Sequence, residues 1–213
     1  NSIEDYSKRK VGILKSGEYN KKLGGLVTKG KFKGYSLYSL TFEERATCPK
    51  SCFHWKTCYG NNMPFAHRFD INPNIVEEIL VSEIKTLLKK NMGLLIRLHV
   101  LGDFYSPEYV QVWERILNRF KNVACFGYTA RNPFTDIGLE VLRLRGEFGN
   151  RFAVRNSGLI DGEFPALEES FNKTGKEFGR NHFTCLEQVG MKETCATCAA
   201  CWDSRKTVYF KTH

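Results

Sequence analysis

An α/β fold with a parallel sheet is what this chain predicts, and three observations carry the prediction. Between residues 34 and 159 the apolar pattern switches repeatedly between a period of two and a period near 3.6. Each helical stretch is long enough to serve as a βαβ crossover. The first two also open with a recognisable start signal.

The elements follow in order. GYSLYSLTF (34–42) alternates large and small polar residues, as a half-buried strand does. From Asn74, the residues Ile75, Ile79, Leu80, Ile84, Leu87 and Leu88 recur at helical spacing. Asn74 reads as the N-cap, with Glu77 completing a capping box, and Gly93 lies beyond the end. LLIRLHVLGDF (94–104) is an apolar strand that closes in a Gly-Asp turn. Ser106 and Pro107 open a second helix carrying Val110, Trp113, Ile116, Leu117 and Phe120. VACFGYTAR (123–131) is a third strand, 135–148 a third helix and RFAVRNSGL (151–159) a fourth strand. Residues 160–184 lack a clear period and read as loop with a short helix, while SRKTVYFKTH (204–213) reads as a returning strand. Four βα units are too few to close an eight-stranded barrel. Right-handed crossovers therefore give a partial TIM-like (β/α) barrel or an open sheet. The chain divides into a basic N-terminal arm (1–34), a (β/α) core (35–160) and a Cys-rich C-terminal extension (161–213).

Composition narrows the classes. Apolar residues make up 42% and aromatics 13%, enough for a packed core and against disorder. No run of 18 apolar residues exists to span a membrane. The start, NSIEDYSKRK, lacks the apolar segment of a signal peptide, so the expected location is cytoplasmic. The net charge of +9 admits a nucleic-acid or nucleotide partner, although a solvated basic surface explains it equally well.

Seven of the eight cysteines fall in two sets. Cys48, Cys52 and Cys58 are spaced Cys-x3-Cys-x5-Cys in the loop after the first strand. Cys185, Cys195, Cys198 and Cys201 form the second set. A reducing compartment favours metal over disulfide at such spacings. Three thiolates on one loop can hold a [4Fe–4S] cube and leave one iron open; a Cys3His zinc site using His54 or His67 is the alternative. Four thiolates with two successive x2 gaps resemble ferredoxin-type [4Fe–4S] ligation, with tetrahedral zinc as the alternative. One of the four could instead complete the first set, leaving one cluster rather than two. Trp202 would shield the second site, and Cys125 reads as a small buried core residue.

In parallel α/β folds the working site lies at the carboxyl ends of the strands. Gly102 and Asp103, Thr129 and Arg131, and Arg155, Asn156 and Ser157 occupy those ends. Together they suit a zwitterionic small-molecule cofactor, and the same residue types also serve as caps of the helices that follow.

The layout resembles a shortened radical S-adenosylmethionine enzyme: a three-Cys loop after the first strand, then a glycine-acid turn. The usual loop there is Cys-x3-Cys-x2-Cys; here the second gap holds five residues and Tyr59 follows the last Cys. A closer resemblance is to the phage gene-product-eighty-eight family. It rests on CPKSCxxxxxCYG (48–60), RLHVLGDFYSPEYVQVW (97–113), FGYTAR (126–131) and CxxCAACW with its trailing strand and His (195–213). These resemblances imply a mobile-element origin, a host-cell cytoplasmic location and an iron–sulfur, radical-enzyme-like core. The leading expectation is an enzyme that passes one electron from a donor to an S-adenosylmethionine held on the open iron. Two other readings stand beside it. One is a non-catalytic zinc- or cluster-stabilised nucleic-acid-binding protein. The other is an iron–sulfur enzyme using the open iron as a Lewis acid.

Overall fold

A computed structural model describes residues 12–63, 66, 68–69, 73–158, 165–168 and 182–211. The strands are β1 (Lys15–Ser16), β2 (Ser36–Ser39), β3 (Leu94–Leu98), β4 (Val123–Thr129), β5 (Phe152–Ser157), β6 (Pro165–Glu168), β7 (His182–Thr184) and β8 (Thr207–Phe210). The α-helices are α1 (Glu44–Thr47), α2 (Pro73–Leu88), α3 (Pro107–Arg119), α4 (Asp136–Phe148), α5 (Cys195–Cys198) and α6 (Ala200–Asp203).

All eight strands share one sheet, ordered β1-β2-β3-β4-β5-β6-β8-β7. Only the β1–β2 pairing is antiparallel. The order ends at β1 and β7, so the sheet is open and not a closed barrel. The four strands expected between residues 34 and 159 are β2 to β5, and the returning C-terminal strand is β8. The expected loop and short helix over 160–184 instead contributes β6 and β7. Residues 160–184 show no period of their own, and pairing of β6 with β5 and β8, and of β7 with β8, is what fixes these strands. Helix α2 takes in Pro73, so Asn74 lies inside its first turn rather than at the N-cap. A proline is tolerated at that position because its missing N–H has no helical partner to lose. Ser106 does cap α3, its hydroxyl accepting from the Tyr109 N–H at 3.2 Å.

The two faces of the sheet are covered differently. Leu94, Ile96 and Leu98 of β3, with Val123, Cys125, Phe152 and Val154, face the helices and bury against Val76, Leu80, Ile84, Tyr109, Trp113, Ile116 and Leu144. Cys125 is fully buried there, in keeping with a core role. The opposite face presents Leu37, Leu95, Ala124 and Phe126 to Leu23, Val27, Phe32, Cys195, Ala196, Ala199 and Trp202. Both ends of the chain therefore meet on this face. Cys195 N–H donates to the Lys22 carbonyl at 2.7 Å, Ala196 N–H to Leu23 at 2.9 Å, and Thr28 N–H to Ala196 at 3.1 Å. Lys22 Nζ also pairs with Glu187 at 3.2 Å. The lysine-rich stretch expected as an arm thus places Ile13, Leu14, Leu23, Val27 and Phe32 among the buried residues from position 12 onward.

Candidate metal centre and sheet mouth

The connection from β7 to β8 joins parallel neighbours and so must cross over the sheet. Residues 185–206 make that crossover, and they carry the whole second cysteine set. Thr194 and Thr197 form a capping box that starts the single turn α5. Ala199 follows at φ 62°, a left-handed conformation rare outside glycine, and sends the chain into the next turn, α6. The result is that Cys185, Cys195, Cys198 and Cys201 all line one small cavity, closed by Phe183, Leu186 and Trp202. Trp202 packs on Phe126 with ring centroids 4.7 Å apart. All eight cysteines carry free thiols.

Burial raises two of these thiols. It pushes Cys195 up to about 12, helped by the neighbouring charge of Cys201 and opposed by Arg97 and Lys22. Cys201 is raised by burial as well, against the pull of Arg155 and of the Tyr128 hydroxyl, which donates to Cys201 Sγ at 3.0 Å. Cys195 and Cys201, both raised, resist ionising together unless a cation joins them. Among the described residues, no three His, Cys, Asp or Glu side chains converge closely enough to share a single metal ion. The donor set, all thiol with a phenol hydrogen-bonded to one sulfur, fits an iron–sulfur group.

The first set lies at the opposite edge of the mouth. Cys48 closes α1, its N–H donating to Glu44 at 2.9 Å. Cys48, Cys52 and Cys58 are all half-buried. Burial pushes Cys48 up to about 12, with the charges of Asp103, Cys52 and Cys58 adding to it and Arg131 opposing. Burial also raises Cys52, against the backbone N–H of His54. His54 does not turn toward the thiols. Its Nε2 meets Glu168 Oε1 at 2.9 Å and its Nδ1 lies 3.2 Å from Thr57 Oγ1. Nε2 pins the loop to the end of β6 and Nδ1 is engaged within the loop, so both ring nitrogens already have partners other than the thiols. The other zinc candidate, His67, lies outside the described residues.

The strand-end residues separate into two groups. Gly102, Asp103, Thr129 and Arg131 meet beside the first thiol loop. Asp103 is 2% exposed. Its Oδ1 accepts from Thr129 Oγ1 and from the Phe104 N–H, both at 2.7 Å, and its Oδ2 accepts from the Ala130 N–H at 2.8 Å. Arg131 donates from Nε to the Phe104 carbonyl at 2.6 Å and from Nη2 to the Thr47 carbonyl. These groups are spent on one another and on backbone, and they tie the residue preceding Cys48 to the ends of β3 and β4. Arg155 stands apart, donating to the carbonyls of Cys201, Ser204 and Lys206 and so clasping the C-terminal crossover. Asn156 is buried on the helix face and accepts from Arg145 Nη2 at 3.3 Å. Ser157 ends β5 half-buried.

Gly102 makes the turn possible. Its φ is 88°, and a Cβ there would sit 2.7 Å from Thr47 Oγ1 and 2.8 Å from Phe42 Cβ. Replacing it with alanine is expected to cost roughly 1–3 kcal/mol, read as a lowered thermal midpoint.

Two residues at this mouth went unassigned in the sequence reading. Arg97 projects from β3 onto the cysteine-bearing face, its guanidinium 4.7 Å from the Tyr128 ring centroid and 5.7 Å from that of Phe126. Tyr128 in turn reaches Cys201. The signal for Arg97 was available: a lone charge inside the apolar run LLIRL.

The model of the family described as Gene product 88 matches residues 13–142. That span includes the first thiol set and Arg97, and it stops before the second set. The chain is also similar to the Gene 88 protein of Mycobacterium phage D29, 25% identical over 158 residues, covering 65% of this chain and 63% of the relative. It therefore spans a little under two thirds of the length of that curated relative. No solved structure matches the chain.

Proposed function

Starting from a chain that belongs to the phage Gene product 88 family, we propose that it is an iron–sulfur protein with two thiol-ligated sites and that it acts as an enzyme at the first of them. The observation that carries this reading is the gathering of Cys185, Cys195, Cys198 and Cys201, all unpaired in disulfides, around one cavity. They would hold a closed [4Fe–4S] cluster, in a structural or electron-transferring role. Cys48, Cys52 and Cys58 would hold a second one with an iron left for substrate or cofactor, since His54 is committed to Glu168. Such a group supplies one-electron chemistry, and the resemblance to radical S-adenosylmethionine enzymes makes that molecule the first cofactor to try. The chain's own residues do the positioning. Asp103 and Arg131 fix the start of the thiol loop, and Tyr128 donates to a ligand sulfur. No helix of the described residues is long and apolar enough to cross a membrane.

Anaerobic purification followed by iron, sulfide and zinc counts per chain tests the reading. The expected result is a brown protein with absorbance near ~400 nm, as thiolate-ligated iron gives. Cys198→Ser and Cys52→Ser are each expected to remove one cluster's complement of iron. Zinc without sulfide in both sites would overturn the proposal. Reductive cleavage of S-adenosylmethionine by the loaded, reduced protein is the expected activity, and it should be lost in Cys52→Ser.

A further inference from the structure

Arg97 is half-buried, and its Nε is buried without a hydrogen-bond acceptor. Among the described residues its side chain makes no hydrogen bond and no ion pair. A guanidinium carries five donors in a rigid fork and stays charged in any protein environment. Burying the Nε of such a group without an acceptor is costly, so the position suits an anion. The neighbours say where that anion would sit. Phe126 and Tyr128 support the guanidinium. The Tyr128 and Tyr59 phenols and the thiols of Cys195 and Cys201 lie within its electrostatic reach. Arg97 is the penultimate residue of β3, with Tyr59 of the first thiol loop on one side and Cys195 and Cys201 of the C-terminal crossover on the other. Carboxyl strand ends are where α/β sheets take their ligands.

We infer that Arg97 is an anion-binding residue of the sheet mouth, holding the oxyanion of a small molecule, a carboxylate or phosphate, against the guanidinium fork. The same attraction could be met by the negative charge of a thiolate-bound metal centre at Cys195 and Cys201, and the experiment separates the two sources. The inference stands whether or not the metal proves to be iron.

The test compares the purified full chain with Arg97→Gln and Arg97→Lys. Intrinsic tryptophan fluorescence, to which Trp202 contributes beside Trp55 and Trp113, is followed while inorganic phosphate, and separately acetate, is added at constant ionic strength. Metal per chain is counted on the same samples, and circular dichroism checks that each variant is folded. Trp202 is a suitable reporter because it packs on Phe126, which the guanidinium overlies. If the anion is a small oxyanion, phosphate or acetate binds the wild type. Arg97→Gln then weakens binding at least about tenfold, Arg97→Lys retains part of it, and the metal count is unchanged. If the thiolate-bound centre is the partner, added anions give no response, and Arg97→Gln lowers the metal count where Arg97→Lys keeps it. A folded Arg97→Gln protein with wild-type metal content, alongside a wild type that binds neither anion, overturns the inference. Wild-type anion binding lost in Arg97→Gln, in a sample that contains no iron, would uphold the inference and remove the iron–sulfur proposal.

Discussion

Replacing Gly127 by alanine is expected to abolish stable folding. Gly127 sits in β4 opposite Leu98 of β3. A Cβ built on it falls inside the contact surface of the Leu98 carbonyl oxygen and close to the carbonyl carbon as well. The obstacle is backbone at the centre of a parallel sheet, so no side chain can rotate away to relieve it. The strands must separate or the pairing must be lost. A cost of about 4 kcal/mol or more follows, a large share of the ~5–15 kcal/mol that holds a domain together. Far-UV circular dichroism and urea denaturation of Gly127→Ala read it out. Gly146→Ala is the control: on helix α4, an added methyl meets nothing within 4 Å. It should hold or raise stability by up to about 1 kcal/mol. Equal stability of the two variants would contradict the close approach.

Asp103→Ala should be the second most damaging change. It strands the N–H groups of Phe104 and Ala130 and the hydroxyl of Thr129 in a buried place, and it leaves Arg131 without its nearby carboxylate. Removing one member of such a buried charged network costs about 3–5 kcal/mol. Asp103→Asn keeps the shape but sets an amide N–H₂ against donors, at about 1–3 kcal/mol. Burial pushes Asp103 up to about 6 from its ordinary 3.8, against the pull of its three donors and of Arg131. A carboxyl raised in the folded state favours folding most below its unfolded pKa, and that contribution is lost as pH rises through the folded one. The stability gap between wild type and Asp103→Asn should therefore be widest near pH ~4 and narrow toward pH ~7. Urea midpoints across that range measure it; a gap that widens toward neutral pH would show the carboxyl held ionised by its donors.

Most of the elements that could be read from sequence were long, although β2 and β8 show themselves in four residues each. β3, β4 and β5 run for five to seven residues, and α2, α3 and α4 for thirteen to sixteen, enough for a period to declare itself. β6 and β7 were not legible because they exist through pairing with β8, a tertiary event. Leu23, Val27 and Phe32 follow no period, because each buries singly against the Cys195–Trp202 turns rather than along a regular face. The cysteine sets stood out by spacing alone. The strand-end residues did not resolve, since Asp103, Thr129 and Arg131 have the same chemistry whether they bind a ligand or one another. Only the geometry shows them turned inward. His54 was ambiguous for the same reason until Glu168 was brought to it by the fold.

The strand order has a consequence for synthesis. β7 pairs only with β8, and β8 lies between β6 and β7 although it is made last of the three. On a translating ribosome β7 emerges before the strand it pairs with, and until β8 arrives the segment 185–206 is tied at one end only. At ordinary elongation speeds that interval lasts on the order of seconds. During it the four thiols of the crossover are open to solvent and to any carrier that delivers a cofactor. Insertion of β8 then shuts the door behind whatever has been loaded.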